Sequence, residues 1–200
     1  LTIPIPYGIL VSVNTRETIE QKALTLFVRK GYEGTGVQEV VDESGITKPT
    51  LYHYFGSKQG LLKAIVDPLF RDLAGAVEAA AAYEHDLQLN MQRVMAAYFA
   101  CAVEQPLFFR LMLAMIHAPA ESEAKAVARP HLERQYRILE DLFTMAAEDH
   151  GNMRGRRRAF AASFLGIIHT YAALYLEGDI RLDDRLLHEA LRQFSHGIYS

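Results

Sequence analysis

Apolar residues recur at three- and four-residue spacing over most of the chain and strand-type alternation is scarce, so the pattern predicts helices almost throughout. Asn14 with Glu17 forms a capping box for a first helix, along which Ile19, Ala23 and Phe27 share one face, and Gly31 is placed to end it. Thr35 with Gln38 forms a second box, Val37, Val40 and Val41 follow on one face, and Gly45 closes that short helix. Thr47 caps a third helix with Pro49 in its first turn, where a missing N–H costs little. Gly56 ends it, and Ser57 caps a fourth helix carrying Leu61, Leu62, Ile65, Leu69 and Leu73. The second and third helices, joined around "SGIT", form a helix-turn-helix.

Further helices are expected near 87–104, 106–117, 121–149 (interrupted near Pro130), 155–176 and 184–198. Pro68 falls inside the fourth helix, where it removes a backbone bond to Ala64 at a cost of about 3 kcal/mol or more. Two readings remain open: a kink or break at 64–68, or the end of one helix. The segment "AFAASFLGIIHTYAALYL" is apolar nearly all round, with Ala161, Ala162, Ser163, Gly166, Ala172 and Ala173 interspersed. A helix apolar on every side needs cover on every side, and a second subunit is a natural cover. Leu187, Leu191, Phe194 and Ile198 supply a companion stripe, so Ala162, Gly166, Ala173, Leu187, Leu191 and Phe194 are the expected dimer interface. The fold class is thus all-α: an arm at 1–13, a three-helix helix-turn-helix unit at 14–60, a linking helix at about 57–82, and a larger helical domain at 61–200.

The third helix changes the picture from packing to recognition. In "TKPTLYHYF", Leu51 and Phe55 stand i, i+4 and point inward, which leaves Lys48, Thr50, Tyr52 and His53 outward. Tyr54 has two readings, outward-facing or core with its hydroxyl at the rim. The net charge of −3 conceals a window from 44 to 66 without an acidic residue, in which Lys48, Lys58 and Lys63 all fall. That combination suits one polyanion-facing surface. Cys101 is the only cysteine, which excludes an intrachain disulfide and a Cys-based zinc motif, and its apolar neighbours predict an inert, buried thiol. The opening "LTIPIPYGILVSV" lacks a basic n-region and is too short to span a bilayer, so it reads as a loosely structured arm packing on a neighbour. Nothing else reaches transmembrane length, so no membrane partner is expected and the protein is placed in the cytoplasm.

Residues 15–66, "TRETIEQKALTLFVRKGYEGTGVQEVVDESGITKPTLYHYFGSKQGLLKAIV", resemble the DNA-binding domain of the TetR family of bacterial transcriptional regulators. The ordered set Ala23, Phe27, Gly31, Tyr32, Thr35, Gly45, Thr50, Leu51, Tyr52, Phe55, Lys58 and Leu61 carries the resemblance, and "FLGIIHTYAALYLEGDIRLDD" is similar in style to the family's last two helices. The resemblance implies a homodimer with a C-terminal domain for ligand binding and dimerisation, a palindromic double-stranded DNA operator and a small-molecule effector. It also implies a repressor released by that effector. It puts Lys48, Pro49, Thr50, Tyr52, His53 and Tyr54 at DNA-facing positions, adds Thr35 at the start of the preceding helix, and makes Lys58 a phosphate-binding lysine. Thr35, Tyr52 and Lys58 are assigned to the backbone; Lys48, Thr50 and His53 to base edges, with Pro49 able to contact a thymine methyl. A kink at Pro68 would let ligand binding tilt this reading head.

For the effector, Tyr98, Phe109, Met112, Met115, His117, Phe164, His169 and Tyr171 are pocket candidates for a mainly apolar ligand, with His117 or His169 as polar handle. The same stripe also reads as plain core. The eight histidines are scattered without a carboxylate set around any pair, so no metal and no cofactor are expected. "RGRRR", Arg154 and Arg156 to Arg158, opens a helix whose dipole disfavours cations, and Glu148, Asp149 or a partner's acids are the expected compensation. No nucleophile elbow, phosphate-cradling glycine loop or HExxH is present, so no catalytic residue is assigned. The rival to a regulator of this kind is a helical adaptor acting through protein contacts, against which the acid-free window argues.

Overall fold

The computed structural model describes residues 15–150 and 154–197. The expected arm at 1–13, the Asn14 cap and Ile198 lie outside the described residues. Among the described residues the chain forms nine α-helices and no strand: α1 (Thr15–Lys30), α2 (Val37–Ser44), α3 (Lys48–Phe55), α4 (Lys58–Ala80), α5 (Leu87–Glu104), α6 (Pro106–Ile116), α7 (Glu123–Asp149), α8 (Arg157–Glu177) and α9 (Asp184–His196).

Short polar side chains start α3, α4, α5, α7 and α9, because the first amides of a helix have no partner within it. Thr47 Oγ1 accepts from the Thr50 amide, Ser57 Oγ from that of Gly60 at 2.9 Å, and Asp183 Oδ1 from that of Leu186 at 2.9 Å. Gly45 ends α2 at φ 64°, a left-handed turn that glycine takes without Cβ strain. Pro106 cannot continue α5 with a backbone bond, and α6 leaves at 113° to it.

α1 to α3 fold over Ile19, Ala23, Phe27, Val40, Leu51 and Phe55. α1 also packs on α4 and α6, while α4 lies along α5 and α7, and α7 along α8. One contiguous apolar core therefore runs from Ile19 to Leu191 through both halves. This continuity explains why neither internal proline interrupts its helix. α4 is unbroken through Pro68 and α7 through Pro130, against the expected stop or break at each. Leu61, Leu62, Ile65 and Val66 are buried before Pro68, and Phe70, Leu73, Ala74 and Val77 after it. Burial on both sides offsets the lost backbone bond, since each such side chain contributes about 1.5–3 kcal/mol. Asp67 Oδ1 and His131 Nε2, 2.8 Å apart, tie the two helices beside their prolines, and the Phe70 and His131 rings stack at 4.4 Å.

Three other expectations change. α8 has 21 residues and contains an 18-residue stretch of mean hydropathy 1.5, long and apolar enough to cross a membrane, although it is built into the bundle through Ala161, Phe164, Leu165, Ile168 and Ala172. Its apolar character is not matched by burial all round, because Ala162, Ser163, Gly166 and Thr170 are exposed. The companion stripe on α9 faces inward: Leu187 and Leu191 are buried, and the Phe194 ring lies 5.1 Å from Phe164 and 6.4 Å from Phe143. Those three residues belong to the chain's own core rather than to an outward dimer face, because α9 needs them to hold itself on α5 and α8. The arginine run is compensated from α7, not by Glu148 and Asp149. Arg158 meets Glu140 at 2.7 Å and Glu133 at 3.8 Å, and Asp149 is engaged with Tyr83 and His85.

Gly60 fixes the α3–α4 junction. A Cβ there would stand 1.9 Å from the Phe55 carbonyl oxygen, a backbone atom that cannot swing aside. Gly60→Ala is therefore expected to cost about 1–3 kcal/mol and to lower DNA affinity with it, read by thermal unfolding; an unchanged Tm would show that the junction yields freely.

Candidate nucleic-acid interface

The outward face of α3 follows from its inward one. With Leu51 fully buried and Phe55 at the core edge, Lys48, Pro49, Tyr52, His53 and Tyr54 are exposed and Thr50 is half-buried. Tyr54 is 41% exposed, which settles its two readings in favour of the outside. Its ring lies 5.6 Å from that of His53. Thr50 Oγ1 stands 2.9 Å from Thr47 Oγ1, so the first turn of α3 carries a paired hydroxyl set beside Lys48.

Lys58, in the first turn of α4, places its ammonium 4.1 Å from the centroid of the Tyr32 ring. Tyr32 is buried against Phe27 and donates its hydroxyl to the Glu123 carboxylate at the start of α7. Burial, followed by that hydrogen bond to an acid, raises the Tyr32 phenol far above its ordinary range, so it stays a donor. The Lys58 cation thus rests on an aromatic ring that is anchored to the larger domain.

Thr35 is placed differently from the expectation. It is 1% exposed and its hydroxyl donates to the Gly31 carbonyl at 2.8 Å, so that hydroxyl closes the α1–α2 turn and does not face outward. The cap of α2 is Gly36, whose amide donates to Glu39 Oε2 at 3.0 Å, while Gln38 bonds Asp42. Lys30 holds the other oxygen of Glu39, and the Lys30 ammonium together with the Gly36 amide lowers the Glu39 carboxyl pKa. The sequence signal for this shifted box was present as Gly36 and Glu39 at the same three-residue spacing.

The structure divides the pocket candidates. His117 and His169 line a cleft of about 530 Å³ between α6, α7 and α8, together with Leu113, Ile116, Tyr136 and Leu165. Tyr98, Phe109 and Met112 are fully buried, and the Tyr98 and Phe109 rings stand edge-on to His169. Met115 is also buried. Phe164 and Tyr171 are not part of this group: Phe164 packs on Phe143 and Phe194, and the Tyr171 hydroxyl reaches Gln193 on α9 at 3.3 Å. They lie on the face of α8 that receives α9. Gln135 was missed, although it stands among Leu132, Leu139 and Leu142 at helical spacing, a polar interruption of an apolar face. Cys101 is half-buried, and burial pushes its thiol up to about 11, which keeps it protonated and unreactive. Among the described residues no group of three or more His, Cys, Asp or Glu is arranged to hold a metal.

Comparison with known proteins agrees with this geometry. Residues 19–65 match the sequence profile described as "Bacterial regulatory proteins, tetR family". The chain is 25% identical over 180 residues to the HTH-type transcriptional activator FasR of Mycolicibacterium smegmatis, covering 88% of this chain and 78% of that protein. It is 34% identical over 85 residues to the HTH-type transcriptional repressor ComR of Escherichia coli, covering 42% of this chain and 39% of that one. The crystal structure of FadR from Bacillus subtilis in complex with stearoyl-CoA superposes with a TM-score of 0.74 at 16% identity, over 92% of this chain and 99% of that one, which shows a shared fold. With a helix-turn-helix that turns its polar face outward and a profile match over that same segment, residues 19–65 form a DNA-binding domain of the tetR family of bacterial regulatory proteins, and the chain is a DNA-binding transcriptional regulator.

Proposed function

We propose that the protein acts in the cytoplasm as a homodimeric repressor that binds a palindromic operator and is released from it by a small, mainly apolar effector. The observation that carries the DNA half is the exposure of Lys48, Pro49, Tyr52, His53 and Tyr54 on one helix with no acidic side chain between Glu43 and Asp67. Residues at the start of such a helix reach base edges, and flanking groups hold phosphates. Lys48, Thr50 and His53 read bases and Pro49 contacts a thymine methyl; Tyr52, Tyr54 and Lys58 hold the backbone. Thr35 contributes by fixing the turn that aims α2.

Support for the dimer is the exposed outer face of α8. Ala162, Ser163, Gly166 and Thr170 are small, and the surrounding helix is apolar enough to need cover. Two-fold symmetry then sets half-site centres about 34–36 Å apart or a multiple of it. The effector half rests on the cleft at His117 and His169, whose volume falls in the range of small-molecule sites.

An operator selected from random duplexes tests the reading, and it should be a two-fold repeat. On it, Lys58→Ala should weaken cognate and scrambled DNA alike and flatten the dependence of log affinity on log salt by about one. His53→Ala should instead relax preference at particular base pairs, worth about 1–3 kcal/mol there. Equal loss of specificity from both variants would contradict the division of roles. For the dimer, Gly166→Arg is informative because no other atom lies within 4 Å of a Cβ built at Gly166, so the side chain fits within one chain. A folded monomer by sedimentation is expected; an intact dimer would move the interface elsewhere.

A further inference from the structure

α5 to α8 meet around polar atoms that the bundle itself does not use. Tyr98 on α5 is fully buried and donates to Gln135 Oε1 on α7 at 3.1 Å. Gln135 is 1% exposed, and its Nε2 has only the Met112 sulfur, at 3.8 Å, as acceptor. His169 on α8 stands beside Tyr98 and Phe109, with ring centroids at 6.1 and 6.4 Å, and its Nε2 is enclosed without a hydrogen-bond partner. Buried polar atoms are nearly always paired, and leaving one unpaired destabilises the fold. An apolar side chain at 169 would remove that penalty, and at 135 the amide is needed only through its oxygen, which holds the Tyr98 hydroxyl, so the His169 nitrogen and the Gln135 amide nitrogen call for a partner from outside the chain.

The surroundings define what that partner is. His169 is part of the inner wall of the cleft of about 530 Å³, whose lining contains no Lys or Arg and whose one formal charge is Glu177. Burial, with His117 adding to it, pushes the His169 imidazole down to about 4, so it is neutral near pH 7. Tyr98 is likewise kept protonated by burial. The cations beside the lining are engaged, Lys125 with the Ile116 carbonyl and Arg158 with Glu140 and Glu133, so the site offers N–H donors and apolar walls, and an unpaired buried carboxylate is strongly disfavoured.

We propose that this core binds an effector whose buried end is uncharged and carries a carbonyl-type acceptor, as in a ketone, ester or thioester. His169 Nε2–H donates to that oxygen with Gln135 Nε2 as second donor, and the apolar remainder lies in the cleft against Leu113, Ile116 and Leu165. The assignment rests on the effector reading above and deepens it. The His169 ring is the element common to the cleft wall and the enclosed polar centre. A carboxylic acid, by contrast, would enter only with a proton, because the titratable groups facing His169 are His117, Tyr98, Tyr136 and Glu177.

The test uses the intact protein with 2-decanone, decane and decanoate as probes near neutral pH, followed by calorimetry, thermal unfolding and DNA release. The ketone should bind about tenfold or more tightly than either other probe, the worth of one hydrogen bond. His169→Phe should raise the Tm of the ligand-free protein, keep DNA binding and abolish the ketone's advantage; His169→Leu provides the same comparison should Phe overfill the site. If decane or decanoate binds as well as the ketone and releases DNA, the effector reading stands and the carbonyl site falls. Absence of ketone binding overturns the site whatever the variants do. A variant that lowers the Tm, or weakens self-association, also overturns it, because the polar atoms would then serve the fold or a partner subunit.

Discussion

The structure depends on α4 remaining one helix. Its first half, through Leu61, Leu62 and Ile65, belongs to the three-helix unit that presents α3, and its second half, through Phe70, Leu73 and Val77, belongs to the bundle of α5 and α7. A proline sits between those halves, and only burial on both flanks makes the unbroken helix the lower-energy arrangement. The junction is reinforced by contacts no single helix could provide: the Asp67–His131 pair, the stacked Phe70 and His131 rings, and the Tyr32–Glu123 hydrogen bond. α3 and the centre around Tyr98, Gln135 and His169 are therefore parts of one packed body, so a change of packing in one has a direct mechanical route to the other.

Local chemistry made much of this legible in advance. Thr47 and Ser57 as caps, Gly45 and Gly56 as stops, and Leu51 with Phe55 as the inward pair of α3 all depend on interactions within a few residues, and each stands where the pattern put it. Long-range packing decided the rest. Pro68 and Pro130 look like breaks in any local window, but tertiary burial overrides propensity. The α9 stripe was legible as apolar, yet period alone does not say whether a stripe faces its own chain or another, and Leu187, Leu191 and Phe194 face their own. Thr35 reads as a cap because two boxes stand one residue apart; the backbone takes Gly36 with Glu39 and buries the threonine. Gly60 carries no sequence signal of its own, because its necessity comes from the approach of the Phe55 carbonyl.

The larger domain shows a different limit. An aromatic and methionine stripe at helical spacing describes core and pocket equally, and the structure separates the two by polarity. Phe164 and Tyr171 join the aromatic packing under α9, whereas Tyr98, Gln135 and His169 bring underused hydrogen-bonding capacity into an otherwise apolar centre. The exposed face of α8, rich in small residues, lies at the edge of the same cleft, since Ala162, Gly166 and Ala173 help line it. On the proposed reading, subunit contact and effector site share a helix.

The measurement that bears most directly on the central claim is fluorescence-anisotropy titration of the protein with the DNA flanking its own gene, against a scrambled fragment of equal length, at a low and a high salt concentration. The account predicts tight binding to the flanking DNA, a clear preference over the scrambled fragment, and a steep loss of affinity as salt rises, because phosphate neutralisation releases counterions. Weak binding that is equal for both fragments and insensitive to salt would contradict it, and would leave the outward face of α3 to a protein partner.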